Sequence, residues 1–219
     1  MKMTWTPTPT PDEEAFAAIK AGVDALPPGV KMFLNSGGFT LIPPSPALTC
    51  VPSAEFYGEG LTTANLELLA RFFEKYPDYA DRTFLSVKGG TIPGKLVSDG
   101  SRENLRRSVD AILNSLRGTK RLDLFQPARR DSNHEIEQYA ESLNEMVKEG
   151  KFDYIGLSEV SAETVRRAHK VSPIFSENKT SVGTNVSRSC RLQQSRSKSV
   201  CKPTSNKPKT VCTDNFLCL

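Results

Sequence analysis

Short apolar runs alternate with amphipathic helical patterns along residues 1–173, and this alternation restricts the fold more than any other feature of the chain. Four runs predict strands, at 31–35, 84–88, 122–126 and 154–158. Each run is followed by a stretch in which apolar residues recur every three or four positions, which predicts a helix. The strand centres lie 53, 38 and 32 residues apart. Such a repeat predicts parallel strands joined by helices, because a parallel pair needs a crossover connection of about that size.

The first interval is too long by the length of one proline-rich stretch, residues 38–54. These 17 residues contain four prolines, which suit neither a helix nor a central strand. Without them the first interval is 36 residues and the repeat is regular. We therefore expect residues 38–54 to be an inserted, exposed and poorly ordered loop next to the carboxyl ends of the strands.

A parallel sheet with this repeat is either a (β/α)₈ barrel or a doubly wound sheet. No Gly-x-Gly-x-x-Gly motif follows a predicted strand, which favours the barrel. In a barrel the chemistry lies at the carboxyl ends of the strands. The residues at those ends are Asn35, Lys88, the segment 126–131 and Ser158.

Charge and cysteine content divide the chain near residue 173. Residues 174–219 carry eight basic and two acidic residues, whereas residues 1–173 carry a net charge of −2. The tail shows no sustained apolar periodicity, so we expect it to be a basic, Ser/Thr-rich disordered segment. Four of the five cysteines lie in this tail, and no pair has the Cys-x-x-Cys spacing of a zinc knuckle. The sequence therefore predicts no metal site.

Two absences bear on location and partners. No run approaches 18 apolar residues, and the first residues lack the apolar segment of a secretory signal. We therefore expect a soluble, cytoplasmic protein without a membrane partner. The basic tail has no aromatic residues between its basic ones, so it does not favour nucleic-acid binding.

The predicted strand ends, taken in order, resemble the aldo-keto reductases, and within them the fungal pyridoxal reductase-like branch. The segments that carry the resemblance are 33–37, 55–58, 86–90, 123–131 and 156–159. The resemblance covers residues 1–37 and 55–174. It implies a (β/α)₈ barrel, NADPH as the cofactor and hydride transfer to an aldehyde or ketone. It also implies a small-molecule carbonyl substrate, with pyridoxal as a candidate.

The resemblance assigns roles to individual residues. Tyr57 matches the general acid that protonates the carbonyl oxygen, and Lys88 matches the lysine beside it. A free tyrosine, with a pKa near 10, is a poor acid at neutral pH, and a neighbouring ammonium lowers that pKa. Ser158 matches a residue near the nicotinamide carboxamide. Trp5 matches a position in the substrate pocket.

Two positions depart from the usual family pattern. Asn35 stands where an aspartate usually pairs with the lysine, and we keep it in the catalytic set. Ala128 stands where a histidine usually orients the substrate carbonyl. Both departures also resemble the pyridoxal reductase-like branch. Arg129 is the candidate that replaces the histidine as a cationic contact to the substrate.

The chain also resembles less than a whole barrel. Without residues 38–54 and the tail it has 156 residues, whereas a (β/α)₈ barrel has about 250. We therefore expect the N-terminal half of a barrel, impaired reductase activity, and self-association through the uncovered sheet edge. The alternative is a non-catalytic remnant, or the product of a gene model with splicing errors, that has no activity of its own.

Overall fold

The computed structural model describes residues 3–4, 7–36, 55–56, 58, 60–95 and 97–176. Within these ranges strands and helices alternate as the sequence predicts. The helices are α1 (Asp12–Asp24), α2 (Ala64–Lys75), α3 (Arg102–Leu116), α4 (Ile136–Lys148) and α5 (Ala162–Val171), with a 3₁₀ turn at Pro77–Tyr79. The strands are β1 (Met32–Ser36), β2 (Thr83–Gly89), β3 (Leu124–Pro127), β4 (Tyr154–Leu157) and β5 (Ile174–Ser176). None of the helices in this described part is long and apolar enough to cross a membrane.

The five strands form one sheet whose spatial order equals the chain order. Every neighbouring pair is parallel, and a helix connects each strand to the next. A doubly wound sheet would instead reverse its strand order at a switch point. The barrel type of winding that the sequence predicts is therefore confirmed over these strands.

One face of the sheet packs against the helices. Its side chains are apolar and almost wholly buried, and they meet the apolar stripes of the helices in one continuous core. Complete burial of each large apolar side chain contributes about 1.5–3 kcal/mol. The strand residues of this core are Met32, Leu34, Leu85, Val87, Phe125, Ile155 and Leu157.

The opposite face is concave and aromatic near the amino ends of the strands. Phe33 of β1 stacks on Phe84 of β2 with ring centroids 5.4 Å apart, and Phe84 also stacks on Phe175 of β5 at 6.0 Å. In a flat sheet β2 and β5 would lie about 14 Å apart, three strand spacings. The ring contact between them therefore requires the sheet to curl towards this face, as in a barrel.

The structure shifts two of the predicted boundaries by more than one residue. β3 begins at Leu124 rather than at residue 122, because the carboxylate of Asp123 accepts the N–H of Leu85 at 2.7 Å and pairs with Lys120 at 2.8 Å. Ile174–Ser176 forms β5, three residues that lie past the predicted boundary at 173. A strand of three residues is too short to show an apolar alternation in the sequence, and its pairing with β4 is what identifies it as a strand. The rest of the predicted tail, residues 177–219, lies outside the described residues.

Asp131, in the turn after β3, is a buried carboxylate that joins its own turn to the segment before α3. It accepts the N–H of Gly100 at 3.1 Å and that of Asn133 at 2.9 Å, and it lies 2.7 Å from Nδ1 of His134. Burial raises the pKa of this carboxyl, but the hydrogen bonds from Asn133, Gly100 and His134 outweigh burial and leave the pKa below its ordinary value of 3.8. Ionised Asp131 therefore stabilises the fold above that pH, and this stabilisation is lost as the pH falls through the folded-state pKa.

We expect Asp131→Asn to lower the free energy of unfolding by about 1.5–3 kcal/mol near neutral pH, because a hydrogen bond to a charged group contributes about that much. The difference from wild type should shrink below pH 3.8, where the wild-type carboxyl takes up its proton. Urea unfolding followed by circular dichroism at a series of pH values measures it. Asp81→Asn, which removes the same charge from an exposed position, is the control. A difference that stays constant with pH would contradict the prediction.

Candidate active site

The carboxyl ends of the strands bring polar side chains together on the concave face. The sheet register pairs Asn35 with Ser86, and Lys88 with Gln126. Partners in register on parallel strands share a face, and so do residues two positions apart on one strand. These four side chains therefore lie on the face that carries the aromatic cluster, but at its other end.

Lys88 and Ser158 meet across this face. Nζ of Lys88 donates a hydrogen bond to Oγ of Ser158 at 3.0 Å, although β3 lies between their strands. The next residue, Glu159, has a φ of 55°, so the chain turns away directly after Ser158. Among the residues that the structure describes, no carboxylate pairs with Lys88. The site thus holds an ammonium charge that this part of the chain does not neutralise.

Asn35 presents an acceptor that has no partner. Its Oδ1 is buried and makes no hydrogen bond to any of the described residues. An unsatisfied buried acceptor costs about 1–3 kcal/mol. Oδ1 of Asn35, at the carboxyl end of β1, is therefore a candidate contact of the site.

Gln126 belongs to the site, although the sequence analysis singled out only its segment. Its Nε2 donates to Oγ of Ser86 at 2.8 Å, and its side chain is 1% exposed. The side chain lies against Gly156 of β4, where a Cβ would come 3.2 Å from Cβ and Cγ of Gln126. The sequence hints at this contact only through a polar glutamine inside β3 and a glycine inside β4. One sequence does not show that the two residues are neighbours, so the contact was missed.

Three predicted features lie outside the described residues. They are Tyr57, Trp5 and the loop 38–54. The positions that flank Tyr57 are described on both sides. Before it, the fully buried carboxylate of Glu55 pairs with Arg107 of α3 at 2.7 Å. After it, the carbonyl of Gly58 accepts the N–H of residue 61 at 3.0 Å, in the turn that leads to α2.

The turn after β3 contains Ala128, where the sequence departs from the usual family pattern, and Arg129, the predicted contact to the substrate. Ala128 is 2% exposed and offers no polar side-chain group to the site. Nε of Arg129 donates to a carboxylate oxygen of Glu159 at 3.1 Å, and both side chains are partly exposed. The guanidinium of Arg129 therefore lies beside the residue that follows Ser158.

A sequence model described as the aldo/keto reductase family matches residues 1–202. The chain belongs to this family. Its five described strands are part of a (β/α)₈ barrel, and the resemblance noted in the sequence is confirmed at the level of the family.

Two relatives from fission yeast show how much of such a protein the chain represents. The "Probable pyridoxal reductase 2" of Schizosaccharomyces pombe is 42% identical over 174 residues, which are 80% of this chain and 46% of that protein. An uncharacterized oxidoreductase of the same yeast is 38% identical over 169 residues, 77% of this chain and 44% of that protein. The chain thus spans less than half the length of these relatives.

A solved structure supports the fold. A thermostable aldo-keto reductase, determined in complex with the inhibitor epalrestat, matches with a TM-score of 0.51 and 19% identity. The match covers 78% of this chain and 53% of that one. At this identity the likeness shows the fold alone.

We expect Gly156→Ala to lower the free energy of unfolding by about 1–2 kcal/mol, because the added methyl group presses on the packed side chain of Gln126. Urea unfolding of Gly156→Ala, Gln126→Ala and the double variant forms a double-mutant cycle. In the double variant the contacts with Cγ and Cδ of Gln126 are gone and only the one with Cβ stays, so a part of the cost of the methyl group should disappear. Strictly additive effects would show that the two residues do not press on one another.

Proposed function

We propose that the chain reduces an aldehyde or a ketone with NADPH at the carboxyl ends of its strands. The observation that carries this proposal is the 3.0 Å hydrogen bond between Lys88 and Ser158 on the concave face. Lys88 carries an ammonium charge that has no acidic partner among the described residues, and the chain belongs to a reductase family. Tyr57 follows an anchored segment next to the same strand ends and is the proposed general acid.

The proposed reaction needs a hydride and a proton. Bound NADPH would supply the hydride, which adds to the carbonyl carbon and leaves NADP⁺. The hydroxyl of Tyr57 transfers its proton to the carbonyl oxygen, so the product is an alcohol. The ammonium of Lys88 stabilises the tyrosinate that remains, which makes Tyr57 a stronger acid. A solvent proton then restores the hydroxyl of Tyr57.

The residues of the site fit a nicotinamide cofactor. A carboxamide offers two N–H donors and one carbonyl acceptor. Oδ1 of Asn35 is a buried acceptor without a partner among the described residues, and the hydroxyl of Ser158 is a donor as well as an acceptor. We assign Ser158 to cofactor binding and keep Asn35 in the catalytic set, because it stands at the place in the sequence where the family usually has an aspartate. NADPH rather than NADH is part of the proposal.

Pyridoxal is the proposed substrate, because the relative that is 42% identical carries the name of a pyridoxal reductase. Its aldehyde would become the primary alcohol of pyridoxine. Arg129, which lies beside the turn after Ser158, is the proposed cationic contact to the substrate, and Trp5 is a proposed wall of its pocket. The expected cytoplasmic location and the expected self-association through a sheet edge stay predictions.

A second possibility is that the chain has no reductase activity of its own. It is favoured by the described sheet, in which β1 and β5 each have a single neighbouring strand and the barrel does not close. Residues 38–54 also separate Asn35 from the segment of Tyr57, and small displacements of a general acid cost orders of magnitude in rate. Binding of NADPH and single-turnover chemistry distinguish the two possibilities.

We expect pyridoxal-dependent oxidation of NADPH when the purified chain is in excess over the cofactor, even where steady-state turnover is too slow to detect. Tyr57→Phe removes the proton donor and should slow this single turnover by about 10²–10⁴-fold. Stopped-flow absorbance at 340 nm measures the rate, and the variant that lacks residues 38–54 is compared in parallel. Saturable NADPH binding without any oxidation, in the intact chain and in the deletion, would favour the second possibility.

We expect Ser158→Ala to weaken NADPH binding by about 2–10-fold, because one hydrogen bond contributes about 0.5–1.5 kcal/mol. Ser115→Ala, a serine on the helix layer, should leave the affinity unchanged. Titration of NADPH fluorescence with the purified proteins measures both dissociation constants. Equal affinities of Ser158→Ala and wild type would remove Ser158 from the cofactor site.

A further inference from the structure

Glu55 is a fully buried carboxylate that lies outside the helices and strands, two residues before Tyr57. Its side chain is 0% exposed. Burial of a charged group costs several kcal/mol unless the group is paired and hydrogen-bonded. The partners of Glu55 therefore determine where its own side chain and backbone can lie.

Two successive residues of α3 compensate the charge of Glu55. Nη1 of Arg107 donates to Oε1 at 2.7 Å, and Oγ of Ser108 donates to Oε2 at 2.6 Å. Both carboxylate oxygens are thus satisfied from one rigid helix. A side chain held at two atoms in this way has little freedom to shift, because any movement would leave a buried charge without its partners.

The same two residues of α3 also hold the backbone just beyond β2. Oγ of Ser108 accepts the N–H of Gly90 at 2.9 Å, and Nη2 of Arg107 donates to the carbonyl of Thr91 at 2.8 Å. This close approach depends on Gly89, where a Cβ would come 2.3 Å from Oγ of Ser108. α3 is therefore a common support for the end of β2 and for the segment that begins at Glu55.

We propose that Glu55 is a positioning residue for the reduction and that its contacts with Arg107 and Ser108 set the place of Tyr57 relative to Lys88. The inference rests on the proposed function of Tyr57 and Lys88. Tyr57 is two positions after Glu55, and Gly90 is two positions after Lys88, so each connection spans at most about 7 Å of chain. Glu55 also follows directly after residues 38–54, so its contacts with α3 are the first described contacts of the chain beyond that stretch.

A neighbouring ion pair supplies a matched control. Arg106 precedes Arg107 on α3, and its guanidinium makes two hydrogen bonds of 2.6 Å to Glu149 at the end of α4. The pair has the same chemistry, but it is exposed and ties α3 to α4 rather than to the segment of Tyr57. Glu149→Gln therefore tests the loss of a carboxylate and of an arginine contact without changing the anchor.

The first measurement is ¹⁹F NMR of the full chain labelled with 3-fluorotyrosine, which replaces its five tyrosines. The signal that disappears in Tyr57→Phe belongs to residue 57. In Glu55→Gln, which keeps the shape and removes the charge, we expect this signal to move towards its position in the urea-unfolded chain. Ser108→Ala should move it in the same direction, and Glu149→Gln should leave it in place. If Glu55→Gln does not fold, the shift of the signal in Ser108→Ala tests the inference.

The second measurement is the single-turnover rate of NADPH oxidation with pyridoxal. Glu55→Gln should slow it by about 100-fold, because a displacement of about 1 Å has that effect on an oriented reaction, and should leave the NADPH dissociation constant unchanged. A Tyr57 signal that keeps its wild-type position in both Glu55→Gln and Ser108→Ala would overturn the inference. An unchanged rate in Tyr57→Phe would instead overturn the proposed function. The two failures are therefore distinguishable.

Discussion

The in-order parallel pairing of the strands is the constraint on which the rest of the structure depends. Each strand lies beside the one that precedes it in the chain, so all carboxyl ends meet at one edge and each connecting helix packs on the same side. Because side chains alternate along a strand, one face is committed to the helix core and the other face is left for a separate set of residues. The residues of the proposed site are members of this second set.

The residues of the second face change from aromatic to polar along the strand direction. Near the amino ends, stacked rings from β1, β2 and β5 fill the concave side and hold the curvature of the sheet. Near the carboxyl ends, the same alternation places amide, hydroxyl and ammonium groups on this face. The apolar layer lies beneath the polar one, and polar contacts such as the one between Gln126 and Ser86 are strengthened where water is excluded.

Several ion pairs among the described residues join exposed side chains on neighbouring helices or at their ends, and such pairs contribute about 0–1 kcal/mol each. The pair between Glu55 and Arg107 differs because its carboxylate is wholly buried. Removal of a single partner would leave a charge in the interior, so the pair specifies a position more strongly than it adds net stability. This property suits a segment that leads directly to the proposed proton donor, Tyr57.

The sequence by itself determined the repeat of strands and helices, the regular spacing once residues 38–54 are set aside, and the family. Each follows from patterns that are local in the chain, such as the alternation of apolar residues and the order of short motifs. It also placed Asn35, Lys88 and Ser158 at strand ends, because a strand end is a local feature. Only the tertiary structure decided that Lys88 meets Ser158 across β3, that Gln126 lies on Gly156, and that Ile174–Ser176 is a strand. It alone also showed that Glu55 is buried against α3. These contacts join residues that lie far apart in the chain, and their partners are set by register and curvature, which a single sequence does not encode in any local pattern.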